Sequence, residues 1–145
     1  MIRITSINNL RNINEHYDET WAIVRSLKNP IRGVVQVTAL SPSMDLFFRY
    51  QRMSKAGKWN ADSFQEMYVP QFIREMKQSR EAQEKISYLM NADREGKNIC
   101  LVCFCGNESL CHRSIIAGFL QAMGCHVQLD TNQDYRRYYD LFLNA

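Results

Sequence analysis

Four of the chain's five cysteines, Cys100, Cys103, Cys105 and Cys111, fall within twelve residues, and the last is followed directly by His112 and Arg113. A thiol beside an arginine or at the start of a helix gives up its proton readily and becomes a nucleophile. The imidazole of His112 can shuttle a proton near neutral pH, and the planar guanidinium of Arg113 suits a phosphate or carboxylate. Glu108, inside the same span, is a further acid or base. One use of these residues is an anion site, with Cys111, His112 and Glu108 as the catalytic groups and Cys103, Cys105 and Arg113 around the ligand. A second is zinc, for which Cys103, Cys105, Cys111 and His112 offer thiolate and imidazole ligands. Against zinc stand the Cys-x-Cys and adjacent Cys-His pairs, because neighbours on a strand face opposite ways and neighbours on a helix diverge by about 100°.

These residues need a scaffold, and the flanking sequence supplies one. Ile99 to Phe104 is a short apolar run without polar alternation, the pattern of a strand buried on both faces of a parallel sheet. From Cys111 the apolar residues Ile115, Ile116, Phe119, Leu120 and Met123 recur at helical spacing, and Gly124 stands where a helix stops. Strand, loop and helix make half of a βαβ unit. In open α/β sheets ligands settle beyond the carboxyl ends of the strands, where the free N–H groups of a helix favour an anion. The predicted fold is α/β: a single three-layer, Rossmann-like domain over residues 1–145, with a small, mainly parallel sheet flanked by helices.

The Cys-x7-Cys-His-Arg pattern from Cys103 to Arg113 resembles the prokaryotic domain of unknown function 488 family, whose members carry a strand ending in Cys, a short polar loop, and Cys-His-Arg opening a helix. Ile23-Val24-Arg25, Leu40-Ser41-Pro42-Ser43 and the Trp59, Phe64, Tyr68 run fit the same family, so the resemblance spans roughly Trp21 to Met123. It implies a strand over Thr20 to Ser26, where periodicity alone is ambiguous, and places Arg25 at its end, facing the site. The Cys-x5-Arg phosphate loop of cysteine phosphatases is a poor fit, since seven residues separate Cys105 from Arg113 and nine separate Cys103 from it.

Around this centre, Ile2 to Ile7 alternates as a first strand, and Asn8 to Asp18 reads as a loop. Gly33 to Leu40 is extended and leads to Ser41-Pro42, with Ser41 capping a helix from Ser43 to about Ser54 that buries Leu46, Phe47, Tyr50 and Met53. Ser41 and Ser43 either cap that helix or hold phosphate oxygens with its N–H groups. Ser63-x-x-Glu66 has the form of a capping box for a helix striped with Phe64, Met67, Tyr68, Phe72, Ile73 and Met76, in which Pro70 makes a kink or marks the first turn. Ser79 caps a further helix. His126 to Leu129 is a last strand. Gln133 to Leu143 is a helix whose Tyr135, Tyr138, Tyr139 and Phe142 close over the core or form a homo-oligomer contact.

With 46% hydrophobic content in 145 residues the chain can bury a substantial core. A formal charge of +3 from 18 basic and 15 acidic residues, mixed along the chain, does not mark a dedicated duplex-binding protein. No membrane span or signal peptide is predicted, the odd cysteine count is not a secreted disulfide framework, and the expected location is the cytoplasm. No cofactor is called for. The leading expectation is that the site binds a small anionic, nucleotide- or phosphate-bearing ligand, with catalysis left open. A non-catalytic module of bacterial or phage origin that sequesters a nucleotide or engages another protein is the alternative, and a structural zinc or plain core thiols are the others.

Overall fold

The computed structural model describes residues 1–12 and 16–145. Five strands form one parallel sheet in the order β3-β2-β4-β1-β5: β1 Ile2–Ser6, β2 Glu19–Ala22, β3 Val34–Gln36, β4 Ile99–Cys103 and β5 Val127–Gln128. β4 lies at the centre, pairing Ile99 with Ile2 on one side and with Glu19 on the other. All five of its residues are buried, as expected for a strand covered by helices on both faces. The sheet is wholly parallel and flanked by helices, the three-layer α/β arrangement that the residue pattern predicts. The loop expected after β1 contains a 3-10 helix, Ile7–Asn12, and the rest of that stretch includes residues 13–15, which lie outside the described residues.

Strand order decides where a ligand can sit. After β2 the chain turns to β3 at one edge of the sheet, whereas after β4 it crosses to β5 at the opposite edge. The connections leaving two adjacent strands therefore part, and a crevice opens between the carboxyl ends of β2 and β4. Residues 23–26 lie beyond the first of these ends and residues 104–110 beyond the second.

Helix α1 (Met44–Lys55) is capped by Ser43, whose Oγ accepts from the Leu46 N–H. Ser41, expected to cap it, instead donates its hydroxyl to the Thr38 carbonyl in the preceding 3-10 turn. Of the residues α1 was expected to bury, Leu46 is fully covered, while Phe47, Tyr50 and Met53 remain half-buried. The capping box lies one turn earlier than its sequence suggests. Asn60 Oδ1 accepts from the Ser63 N–H and Ser63 Oγ accepts from the Asn60 N–H, opening α2 (Ala61–Ser63). A π-turn over Phe64–Tyr68 then joins α3 (Val69–Gln78), with the Val69 N–H reaching back to the Phe64 carbonyl. The wide turn precedes Pro70, which lacks an N–H and sits harmlessly in the first turn of α3.

α4 (Arg80–Arg94) is capped by Ser79 as predicted. α5 (His112–Ala122) follows the loop after β4 and gives way to Gly124 at φ +83°, a conformation that suits glycine. α6 (Arg137–Leu143) packs on α5, and Tyr135 and Tyr138 are fully buried, so the carboxyl-terminal aromatics close the core.

Candidate functional site

The crevice between β2 and β4 is a narrow cleft with a cavity volume of about 110 Å³. Its walls are mainly apolar and aromatic: Val24 and Pro42, Phe47 and Tyr50 from α1, Tyr68 from the π-turn, and Phe104 and Leu110 from the loop. This explains the incomplete burial of α1, whose apolar face lines a cleft rather than a sealed core. By sequence Phe47 and Tyr50 read as buried residues of α1, and neither they nor Phe104 and Leu110 were given a site role; an apolar stripe reads the same whether it faces neighbours or an empty groove. Arg25, just beyond β2, brings a positive charge to the cleft and is held by donating its Nε–H to the Pro42 carbonyl, 3.1 Å away.

Cys103, Cys105, Cys111 and His112 complete the wall. The Cys103 and Cys111 sulfurs are 3.2 Å apart, and those of Cys103, Cys105 and Cys111 all lie within 4.8 Å of one another. The expected obstacle to such convergence does not arise. Cys103 and Cys105 are two residues apart, and the intervening Phe104 is 53% exposed, so both sulfurs fall on the inner side. Cys111 precedes α5 with extended backbone (φ −126°, ψ 147°), free of the helical divergence from His112. Among the three, Cys105 is the most open to the cleft; Cys103 and Cys111 are 1% exposed.

Three neighbouring thiols share one charge. Hydrogen bonds from the Cys105 and Cys111 thiols, with the Arg113 guanidinium alongside, hold Cys103 well below the ordinary thiol range. The charge at Cys103 in turn pushes Cys105 up to about 12, while burial, and then Cys103, raise Cys111. Cys111 makes no side-chain cap bond at the start of α5, where the helix dipole also favours negative charge. Burial pushes the His112 imidazole down, so it is neutral at pH 7. Its Nε2 lies 2.7 Å from the Ile23 carbonyl, which can only accept, so the proton is on Nε2 and the Nδ1 lone pair faces the Cys111 sulfur at 3.5 Å.

The structure separates the remaining candidates. Arg113 is 1% exposed and lies behind the thiols, its Nη1 donating to the Cys105 carbonyl at 2.6 Å and to the Cys103 sulfur at 3.4 Å. It steadies the loop and the charge rather than lining the cleft. Glu108 is buried away from the cleft and accepts from the Asp130 N–H, the Thr131 hydroxyl and the Tyr135 hydroxyl. Ser41 and Ser43 sit in a neighbouring polar cleft that shares Arg25. There the Ser43 N–H and hydroxyl both donate to Glu75, so a carboxylate of the chain itself occupies the amino end of α1.

A family model, DUF488-N3a, described as the active DUF488-N3 subclade, matches residues 3–124, from β1 to the end of α5. The chain belongs to the DUF488 family. No curated protein and no solved structure matches it. The DUF488 match takes in every strand except β5, the whole cleft and the Cys-His-Arg element, and ends before the segment carrying Tyr135. Among the described residues no helix is long and apolar enough to cross a membrane.

Proposed function

We propose that this protein binds a small anionic, nucleotide-type ligand in the cleft between β2 and β4 and acts on it with a cluster thiolate. The observation that carries this reading is the thiol cluster opening into an aromatic-walled cleft whose cation is Arg25. A planar ring fits against Phe47, Tyr50 and Phe104, leaving an anionic group for the guanidinium of Arg25. Cys103, whose residue lines the cleft and whose sulfur carries the shared charge, attacks. It donates an electron pair to an electrophilic centre of the ligand, the leaving group departs with the bonding pair, and water later releases the bound fragment. Cys111 and His112 form the proton path behind it, and Arg113 is a positioning residue. The description of the matched subclade as active is in keeping with turnover, and a cluster of reduced thiols suits the cytoplasm.

A thermal-shift screen of reduced, chelator-treated protein against nucleoside mono- and diphosphates tests this. A ligand at a hundred times its Kd should stabilise the fold by about 2.7 kcal/mol, raising Tm by ~8 °C for a domain of this size. Arg25→Ala should lose most of that shift at the same concentration. No shift with any nucleotide, or an equal shift in Arg25→Ala, would overturn the assignment. Binding without product, followed by chromatography, would place the chain in the non-catalytic, sequestering class.

A further inference from the structure

The three sulfurs come from three separate backbone positions: the end of β4, the loop, and the residue before α5. Each position is held independently of any ligand. Cys103 belongs to the central strand, the Cys105 carbonyl accepts from Arg113, and Cys111 is followed by a ring anchored on Ile23. A tetrahedral zinc ion with ~2.3 Å bonds to sulfur keeps its sulfur ligands ~3.8 Å apart. The Cys103 and Cys111 sulfurs at 3.2 Å, with all three within 4.8 Å, bracket that spacing. We infer that Cys103, Cys105 and Cys111 bind a soft divalent cation, zinc being the natural one for three thiolates, with its fourth position facing the cleft.

Two neighbours suit this role. Three thiolates and a divalent ion leave one surplus negative charge, and the Arg113 guanidinium, 3.4 Å from the Cys103 sulfur, lies beside it. Displacing the thiol protons needs an acceptor, and the lone pair on His112 Nδ1 is 3.5 Å from the Cys111 sulfur. The ion draws on the same sulfurs as the proposed nucleophile, so a loaded site has no thiolate left to attack a ligand. Metal binding and covalent chemistry therefore exclude each other.

The test is titration of reduced, metal-free protein with Co²⁺, read by absorbance. One equivalent should produce sulfur-to-cobalt charge-transfer bands with the visible bands of a tetrahedral ion, and Zn²⁺ should erase them. Cys105→Ser and Cys111→Ser should each weaken binding by ~100-fold or more, since even the partners that orient metal ligands are worth 10–100-fold; Cys125→Ser should bind as wild type does. Wild type gives a readout that needs no variant: Zn²⁺ should shield Cys105, the cluster thiol most open to the cleft, from iodoacetamide while Cys125 still reacts. Failure to take up cobalt, bands without sulfur character, or unchanged affinity in Cys111→Ser would each overturn the site. A nucleotide shift in protein that takes up no metal would remove the metal and leave the ligand cleft standing; metal uptake without any nucleotide response would do the reverse.

Discussion

Glu108→Ala is expected to be among the most destabilising single changes in the chain, by ~3–4 kcal/mol, although Glu108 sits in the loop that carries the chemistry. The carboxylate is 4% exposed and accepts from the Asp130 N–H at 3.0 Å, the Tyr135 hydroxyl at 2.9 Å and the Thr131 hydroxyl. It ties the loop after β4 to the segment between β5 and α6, more than twenty residues away in sequence. Truncation strands three donors, and each hydrogen bond to a charged group contributes ~1.5–3 kcal/mol before partial rehydration of the outer two. Glu108→Gln keeps the volume and lets the two hydroxyls turn round to accept, so its cost should be ~1–2 kcal/mol. Urea melts of both variants check the order. If Glu108 served instead as the acid or base for a ligand in the cleft, Gln would leave stability intact and abolish turnover.

Gly118→Ala should cost ~3 kcal/mol or more, lowering Tm by about 10 °C or preventing folding. Gly118 lies inside α5, where alanine would gain ~1 kcal/mol in helix propensity. Packing reverses that preference. A β-carbon at this position would stand 2.0 Å from the Tyr135 carbonyl oxygen and 2.8 Å from its carbonyl carbon, so the backbone before α6 would have to retreat. That backbone positions the same Tyr135 whose hydroxyl meets Glu108, so the two substitutions act on one joint and their effects should be less than additive. A double-mutant cycle measures the shortfall. A stabilised Gly118→Ala would show that propensity outweighs contact here.

The parts of the fold and site that were legible share a cause: local pattern suffices to determine them. The run Ile99–Cys103 has no polar residue, and only a strand buried on both faces needs that; the stripe after Cys111 and the stop at Gly124 are equally local. The Cys-His-Arg element could be placed at the cleft end of the sheet because strand polarity follows from the βαβ pattern, whereas Arg25 was placed there by the resemblance to the DUF488 family and not by local pattern. What sequence could not decide was direction. Arg113 is one residue from His112, yet it lies behind the thiols while the imidazole lines the cleft, an outcome set by the Cys105 carbonyl and by Ile23, 89 residues from His112. Ser43 caps α1 and Ser41 does not, because Thr38 claims the Ser41 hydroxyl and Glu75 fills the helix end. Glu108 looks like a loop carboxylate with a free function until the fold brings Tyr135 to it.

The central claim, that the cleft walled by Arg25 and the three thiols is a ligand site, is tested most directly by protection of the chain's own cysteines. Reduced, metal-free protein is treated with iodoacetamide at neutral pH, with and without each nucleoside monophosphate, and alkylation is followed residue by residue by mass spectrometry. Cys125, half-buried and outside the cleft, is the internal control. At about nine times its Kd, a bound nucleotide should slow alkylation of Cys105 by ~10-fold, the fraction of free sites that mass action leaves, while Cys125 reacts at an unchanged rate. Unchanged alkylation of Cys105 with every nucleotide, or equal slowing at Cys125, would contradict the account.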